Sequence, residues 1–244
     1  MKKSIKLIFL FFIAINLIYI SDAFAQQLPK PGSVEWKKLP IELRREACKI
    51  PDTELASLST GELLQKCLDY QFMSDILFTY EFKGGLDAMA QSFNGLRELF
   101  KRNDAAVAII NHYKKLNPGQ IELIKTSIDK GAFIYNFVFL ELYLTQPSVL
   151  NQLHGKEKII IKEVLEKFNL CIQMNSTEDK YVYSMFPLNV KGLLIAVLLN
   201  NMKDNSAINL KTSYPEYQNV IENLSISNIS EGLLDDLLKR ASEL

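Results

Sequence analysis

From Val34 onward, apolar positions recur at three- and four-residue spacing almost without interruption, and no stretch alternates as a half-buried strand between hairpin turns. Asn94-Gly95, a dipeptide that often turns a hairpin, sits inside a helical pattern whose flanks do not alternate. The pattern predicts an all-α fold, a compact irregular multi-helix bundle or array of about ten helices. No signature recurs at the periods of a regular solenoid.

Caps and breakers place the elements. Helices are predicted over residues 40–49, with Pro40 at a first helical position, and over 60–70, where Ser59 is the N-cap and Leu63, Leu64, Cys67 and Leu68 form the stripe. A turn at 52–57 separates them, and a further helical piece covers 72–80. Lys83-Gly84-Gly85 reads as a break before a helix over 86–102. Asn103 is expected to cap the next helix, to Leu116, and Asn117-Pro118-Gly119 to close it and open another that lasts to about Leu144. A short piece at 147–153 precedes a helix over 156–174, with Ile161, Leu165, Phe168 and Ile172 as its stripe. After a polar turn at 175–179 come a strongly apolar helix over 187–202, a loop over 205–215 and a last helix over 231–242. The short connections favour neighbours packed antiparallel or at moderate angles.

The first 25 residues have a different character. Lys2, Lys3 and Lys6 precede an apolar run over 7–20, and Ala23-Phe24-Ala25 supplies the small residues of a cleavage site. The expectation is a signal peptide over 1–25, an extended leader over 26–33 rich in Pro and Gly, and a single all-helical domain over 34–244, placed in the periplasm or outside the cell. An uncleaved anchor is the competing reading, set back by Asn16 and by the A-x-A site. No cysteine follows the apolar run, so the usual route to a lipid anchor is missing. Cleavage removes three lysines and one aspartate and leaves 219 residues with 25 basic and 27 acidic side chains. That balance lacks the basic stripe that nucleic acid requires, and no block of Lys and Arg suits anionic lipid.

Several segments resemble a known group. Glu35-Trp36, ELRREACKIPDTELASLSTGELLQKCLDY, FNGLRELFKRNDA and LELYLTQPSVL appear in the order found in exported all-helical proteins of unknown function from Bacteroidetes. The likeness covers roughly residues 32–184, with Pro40 where a capping Thr is expected, and does not reach past Leu188. It implies a helical fold and export, and brings no catalytic residue.

Chemistry is sparse. There are two histidines, His112 and His154, and no H-E-x-x-H, no G-x-x-x-x-G-K-[ST] and no G-x-S-x-G. His154 before Gly155 reads as a helix C-terminus, and His112 as a half-buried structural residue. Neither a cofactor nor a metal site is expected, because ligand clusters and a C-x-x-C pair are lacking. Glu141 is the most provocative polar residue: in GAFIYNFVFLELYL only it and Asn136 interrupt an apolar helix. A carboxylate there either finds a partner or takes a raised pKa, the preparation of a general acid. Arg97, Arg102 and Asp104 form a second candidate group, which a corner between two helices also accounts for. Phe72, Phe78, Tyr80, Phe82, Phe93 and Phe100 read as core, and the three N-x-[ST] sites mean little in a bacterium.

Cys48 and Cys67 are a disulfide candidate, whose loop of about 20 residues would contribute roughly 3 kcal/mol. Their apolar faces, that of Cys171 and the odd cysteine count favour buried thiols over the bond. Two functions stay open: a binding or interaction module for a protein, peptide or glycan, or an extracytoplasmic hydrolase of unfamiliar type using Glu141 with another acid or His112.

Overall fold

Ser59 opens its helix as the spacing predicts: its Oγ accepts the Glu62 N–H at 3.3 Å while the Glu62 carboxylate accepts the Ser59 N–H at 2.9 Å. This comes from a computed structural model, which describes residues 28–79, 81–175, 187–203 and 205–244. The expected signal peptide, the start of the expected leader, Tyr80 and most of the turn expected at 175–179 lie outside the described residues. Every regular element among the described residues is a helix, and none is a strand. The chain divides into two compact units, one up to Lys49 and one spanning Ile50–Leu244.

In the first unit, α1 (Val34–Lys37) is capped by Ser33, and Pro40 opens α2 (Ile41–Ala47). Trp36 joins them: its indole N–H donates to the Arg44 carbonyl at 3.1 Å, and the Arg44 guanidinium lies 5.6 Å from the ring centre.

The second unit begins with α3 (Asp52–Ser57), α4 (Thr60–Leu68) and a 3-10 segment, Met73–Phe78. It continues with α5 (Phe82–Ser92), α6 (Asn94–Leu99), α7 (Ala105–Lys115) and a second 3-10 segment, Pro118–Leu123. Then come α8 (Ser127–Leu144), α9 (Pro147–Leu150), α10 (Glu157–Asn175), α11 (Leu188–Asn201), α12 (Asn205–Ser213) and α13 (Tyr217–Asn223). A 3-10 turn, Ile226–Asn228, leads into α14 (Glu231–Ser242). Helix α11 is the centre: every residue from Val190 to Leu199 is buried, and α8, α10, α12, α13 and α14 all pack on it. A helix apolar on every side is stable only when neighbours cover every side.

Several boundaries differ from the sequence expectation, each because a tertiary partner outweighs the local signal. Residues 52–57 form α3 rather than a turn: Arg102 donates to the carbonyls of Leu55 and Leu58 at 3.1 and 3.2 Å and completes a helix too short to persist alone. Gly84 and Gly85 lie within α5 instead of breaking it. A Cβ on Gly85 would stand 2.7 Å from Thr79 Oγ1, so the glycine serves close approach. The break falls at extended Phe93, whose ring stacks on Tyr70 at 4.0 Å. Next to it, buried Asn94 accepts the Ile50 N–H at 3.0 Å and donates to the Ile50 carbonyl at 2.7 Å.

Asn103 does not cap α7; the Gln152 side chain accepts the Ala106 N–H at 3.1 Å from a distant part of the chain. The helix expected after Pro118 is a 3-10 segment and then α8, which begins afresh where Thr126 Oγ1 accepts the Asp129 N–H at 3.1 Å. Residues 205–213 are helical rather than loop, and α13 follows, held by buried Tyr217, whose hydroxyl donates to the Ala196 carbonyl at 2.9 Å. Within α10 the inward face is Ile160, Ile161, Val164, Phe168 and Cys171, while Ile172 is exposed. Phe78, expected in the core, is 86% exposed at the end of its 3-10 segment, whereas Phe72, Phe82 and Phe93 are buried.

All three cysteines are free thiols, Cys67 and Cys171 buried and Cys48 half-buried. Burial pushes the Cys171 thiol up to about 11 and Cys67 higher still, so both are inert thiols at neutral pH. Alkylation of the denatured chain without reductant is expected to add three groups by intact mass; two missing adducts would reveal a bond. The Asn94→Ala substitution leaves two buried backbone groups of Ile50 without partners and is expected to lower unfolding free energy by ~2 kcal/mol in urea titration.

Candidate functional site

Helices α8 and α11 are the most apolar of the second unit, and each carries one buried charge. Glu141 on α8 and Lys191 on α11 are both 0% exposed, and Lys191 Nζ lies 2.9 Å from Glu141 Oε1. The same oxygen accepts the Tyr113 hydroxyl of α7 at 2.9 Å. Phe137, one turn before Glu141, places its ring centre 5.4 Å from Lys191 Nζ. Glu141 Oε2 is buried without a hydrogen-bond partner among the described residues.

A second pair stands beside the first. Lys167 of α10 bonds the Glu163 carboxylate at 2.7 Å and the Leu116 carbonyl at 2.8 Å, with its ammonium 5.1 Å from the centre of the Tyr113 ring. Glu141 and Lys191 balance in the dry interior, and Lys167 is balanced by Glu163 at its partly exposed edge. Burial raises the Glu141 pKa, and Lys191 and Tyr113 pull against it. Burial, reinforced by the neighbouring Glu141, raises Tyr113 well above a normal phenol. Cys171 lies in the field of the same charges but stays protonated through burial. Glu141 itself is 0% exposed, out of direct hydrogen-bond reach of a substrate in solvent.

The other candidates are elsewhere. Arg102 bonds Glu98 at 3.0 Å as well as the two α3 carbonyls, and Asp104 accepts the Thr60 hydroxyl at 2.6 Å. Both fasten the corner between α3, α4 and α7. Arg97 is exposed and has no side-chain partner among the described residues. None of the three touches Glu141. His112 is half-buried, and its pKa is lowered by burial and by Lys115. His154 is exposed with φ +48° ahead of Gly155 at φ +82°, a pair of left-handed residues that turns the chain from α9 toward α10. Cys48 and Cys67 are free. No His, Cys, Asp and Glu cluster among the described residues is arranged to hold a metal, and no described helix is long and apolar enough to cross a membrane.

An open site lies elsewhere among the described residues. A cleft of about 350 Å³ lies where the C-terminal ends of α8 and α11 meet α5, α9, α12 and α13. Thr145 and Gln146, one turn beyond Glu141, form part of one wall, and Val197, Asn200 and Asn201 belong to another. The pair that locks α8 to α11 therefore fixes two walls of the cleft: four residues of helix, roughly 6 Å, separate Glu141 from Thr145. Sequence reasoning missed both Lys191 and the cleft. Lys191 was visible as the lone charge in VKGLLIAVLL, the complement of Glu141 in its own apolar helix. The cleft gave no local signal, since its lining comes from six helices.

Comparison with known proteins gives no match: no family model, curated protein or solved structure matches this chain.

The Lys191→Met substitution leaves Glu141 buried without its counter-charge and is expected to destabilise the fold by about 3–5 kcal/mol at neutral pH. The effect carries a pH signature. Removing Lys191 raises the folded-state pKa of Glu141 further above its ordinary 4.5. Below 4.5 the carboxyl is protonated in folded and unfolded chains alike, and above it the unfolded chain ionises first. Because Glu141 is raised in the wild type as well, both lose stability together just above 4.5, and the gap between them should widen once pH passes the wild-type folded pKa of Glu141, in denaturant titrations.

Proposed function

We propose that this chain is an exported helical binding module whose ligand seat is the cleft at the C-terminal ends of α8 and α11. Its volume falls within the range of small-ligand sites. The observation that carries the reading is how partners are distributed. In the core, Glu141, Glu163, Lys167 and Lys191 are all engaged. At the cleft, the side chains of Lys83, Asp87, Asn200 and Lys211 have no partner among the described residues. Polar groups that converge on a concavity and are not used by the fold are available to a ligand. Export rests on the N-terminal pattern of Lys2, Lys3 and Lys6, the apolar run and Ala23-Phe24-Ala25, and on the resemblance to exported helical proteins.

The hydrolase alternative needs Glu141 within reach of a substrate. Its full burial, its contacts with Lys191 and Tyr113, and the absence of His112 from its partners weigh against that role. A screen of chromogenic esters, peptides and glycosides, with amide chemical shifts recorded in parallel, tests both readings. The expected outcome is no turnover, together with ligand-dependent shifts at Gln146, Asn200 and Asn201. Asn200→Trp, which fills the cleft from a half-exposed position, should abolish those shifts while keeping the wild-type melting temperature. Turnover that disappears in Glu141→Gln would reverse the assignment.

A further inference from the structure

The lining of the cleft narrows the class of ligand, given the reading of that cleft as a seat. Two ammonium groups, Lys83 and Lys211, and one carboxylate, Asp87, are unused by the fold among the described residues. Lys83 and Asp87 are four apart on α5, a spacing at which a pair commonly forms, yet no ion pair joins them. Neutral hydrogen-bonding groups lie among them: the Asn200 amide, and the Oε1 of Gln146, whose NH2 turns inward toward the Leu142 carbonyl. Gln218 and Glu222, which bond each other, and Thr145 and Asn201, which bond elsewhere in the fold, complete the polar part of the lining, and the rest is aliphatic, as at Leu150.

No aromatic ring belongs to this lining. A nucleobase thus lacks a stacking platform, and a sugar lacks the ring face against which its C–H groups usually pack. An acyl chain would bury charged groups with nothing to pair them. A ligand that satisfies the whole lining carries charge of both signs, has amide donors and acceptors, and presents modest aliphatic surface. We propose that the cleft binds a short peptide with free ends, its carboxylate turned to Lys83 and Lys211 and its ammonium to Asp87.

The test uses the purified full chain, isothermal titration and amide chemical shifts. The probes are alanyl-seryl-alanine with free ends, its N-acetyl form, its C-terminal amide, maltotriose and glycerol phosphate. The free tripeptide should shift the amides of Gln146, Asn200 and Asn201, and blocking either end should weaken binding roughly tenfold. In Lys211→Ala, amidation should no longer matter to the same degree, and in Asp87→Asn the same should hold for acetylation. Equal affinity for free and blocked peptides overturns the proposal while leaving the seat in place. So do shifts of these amides by maltotriose or glycerol phosphate without any by the tripeptide. If no probe shifts them, the seat itself is refuted.

Discussion

A carboxylate and an ammonium group in direct contact, with neither side chain reaching water, set the arrangement of the second unit. Two apolar helices such as α8 and α11 can slide or rotate against one another at modest cost, because aliphatic surface is nearly interchangeable. A buried charge removes that freedom. Displacing Glu141 from Lys191 by a single helical position would leave the buried carboxylate without the ammonium in contact with it, in a medium where an isolated ion is intolerable. A pair buried this deeply often adds no more to net stability than well-packed apolar residues in its place. What it supplies is register, fixed along α8 and α11 at once, with Tyr113 bringing α7 into the same alignment.

Polar groups in this protein fall into two populations. Within the core they are matched in number and sign, and within the corner around Arg102 they satisfy carbonyls that short helices leave open. At the cleft, Lys83, Asp87, Asn200 and Lys211 are left over among the described residues. Asn200 stands in the last turn of α11, while Lys83 and Asp87 come from α5 and Lys211 from α12, so registering α8 against α11 sets one side of the concavity on which the leftover groups converge.

The fold class was legible in the sequence because a helical stripe is a local property, repeated in almost every segment. Ser59, Thr60–Leu68 and the final helix were read closely for the same reason: caps and stripes sit within a few residues of each other. The misread boundaries share a cause. Gly84-Gly85 is a breaker by propensity, but Gly85 is a packing residue once Thr79 leans on it, and Asn103 is a good cap whose place Gln152 takes from nearly fifty residues away. Glu141 stood out as an anomaly, yet its meaning did not, since an unmatched acid and half of a matched pair look the same until Lys191 is brought to it. The cleft was out of reach altogether, being assembled from residues that carry no shared pattern.

Leu224 ends α13 with φ +53° and ψ +48°, a left-handed conformation that costs a branched residue about 1 kcal/mol relative to glycine. Its carbonyl accepts the Phe82 N–H at 3.4 Å, and its side chain is 4% exposed in the cleft wall. The same residue thus ties the start of α5 to the end of α13 through its backbone and closes the wall through its side chain. Glycine would relax the first task and forfeit the second. The strain at Leu224 is the mark of a joint that also has to be a surface, and it ties the leading edge of the helix that carries Lys83 and Asp87 to the last turn of the helix that carries Gln218 and Glu222.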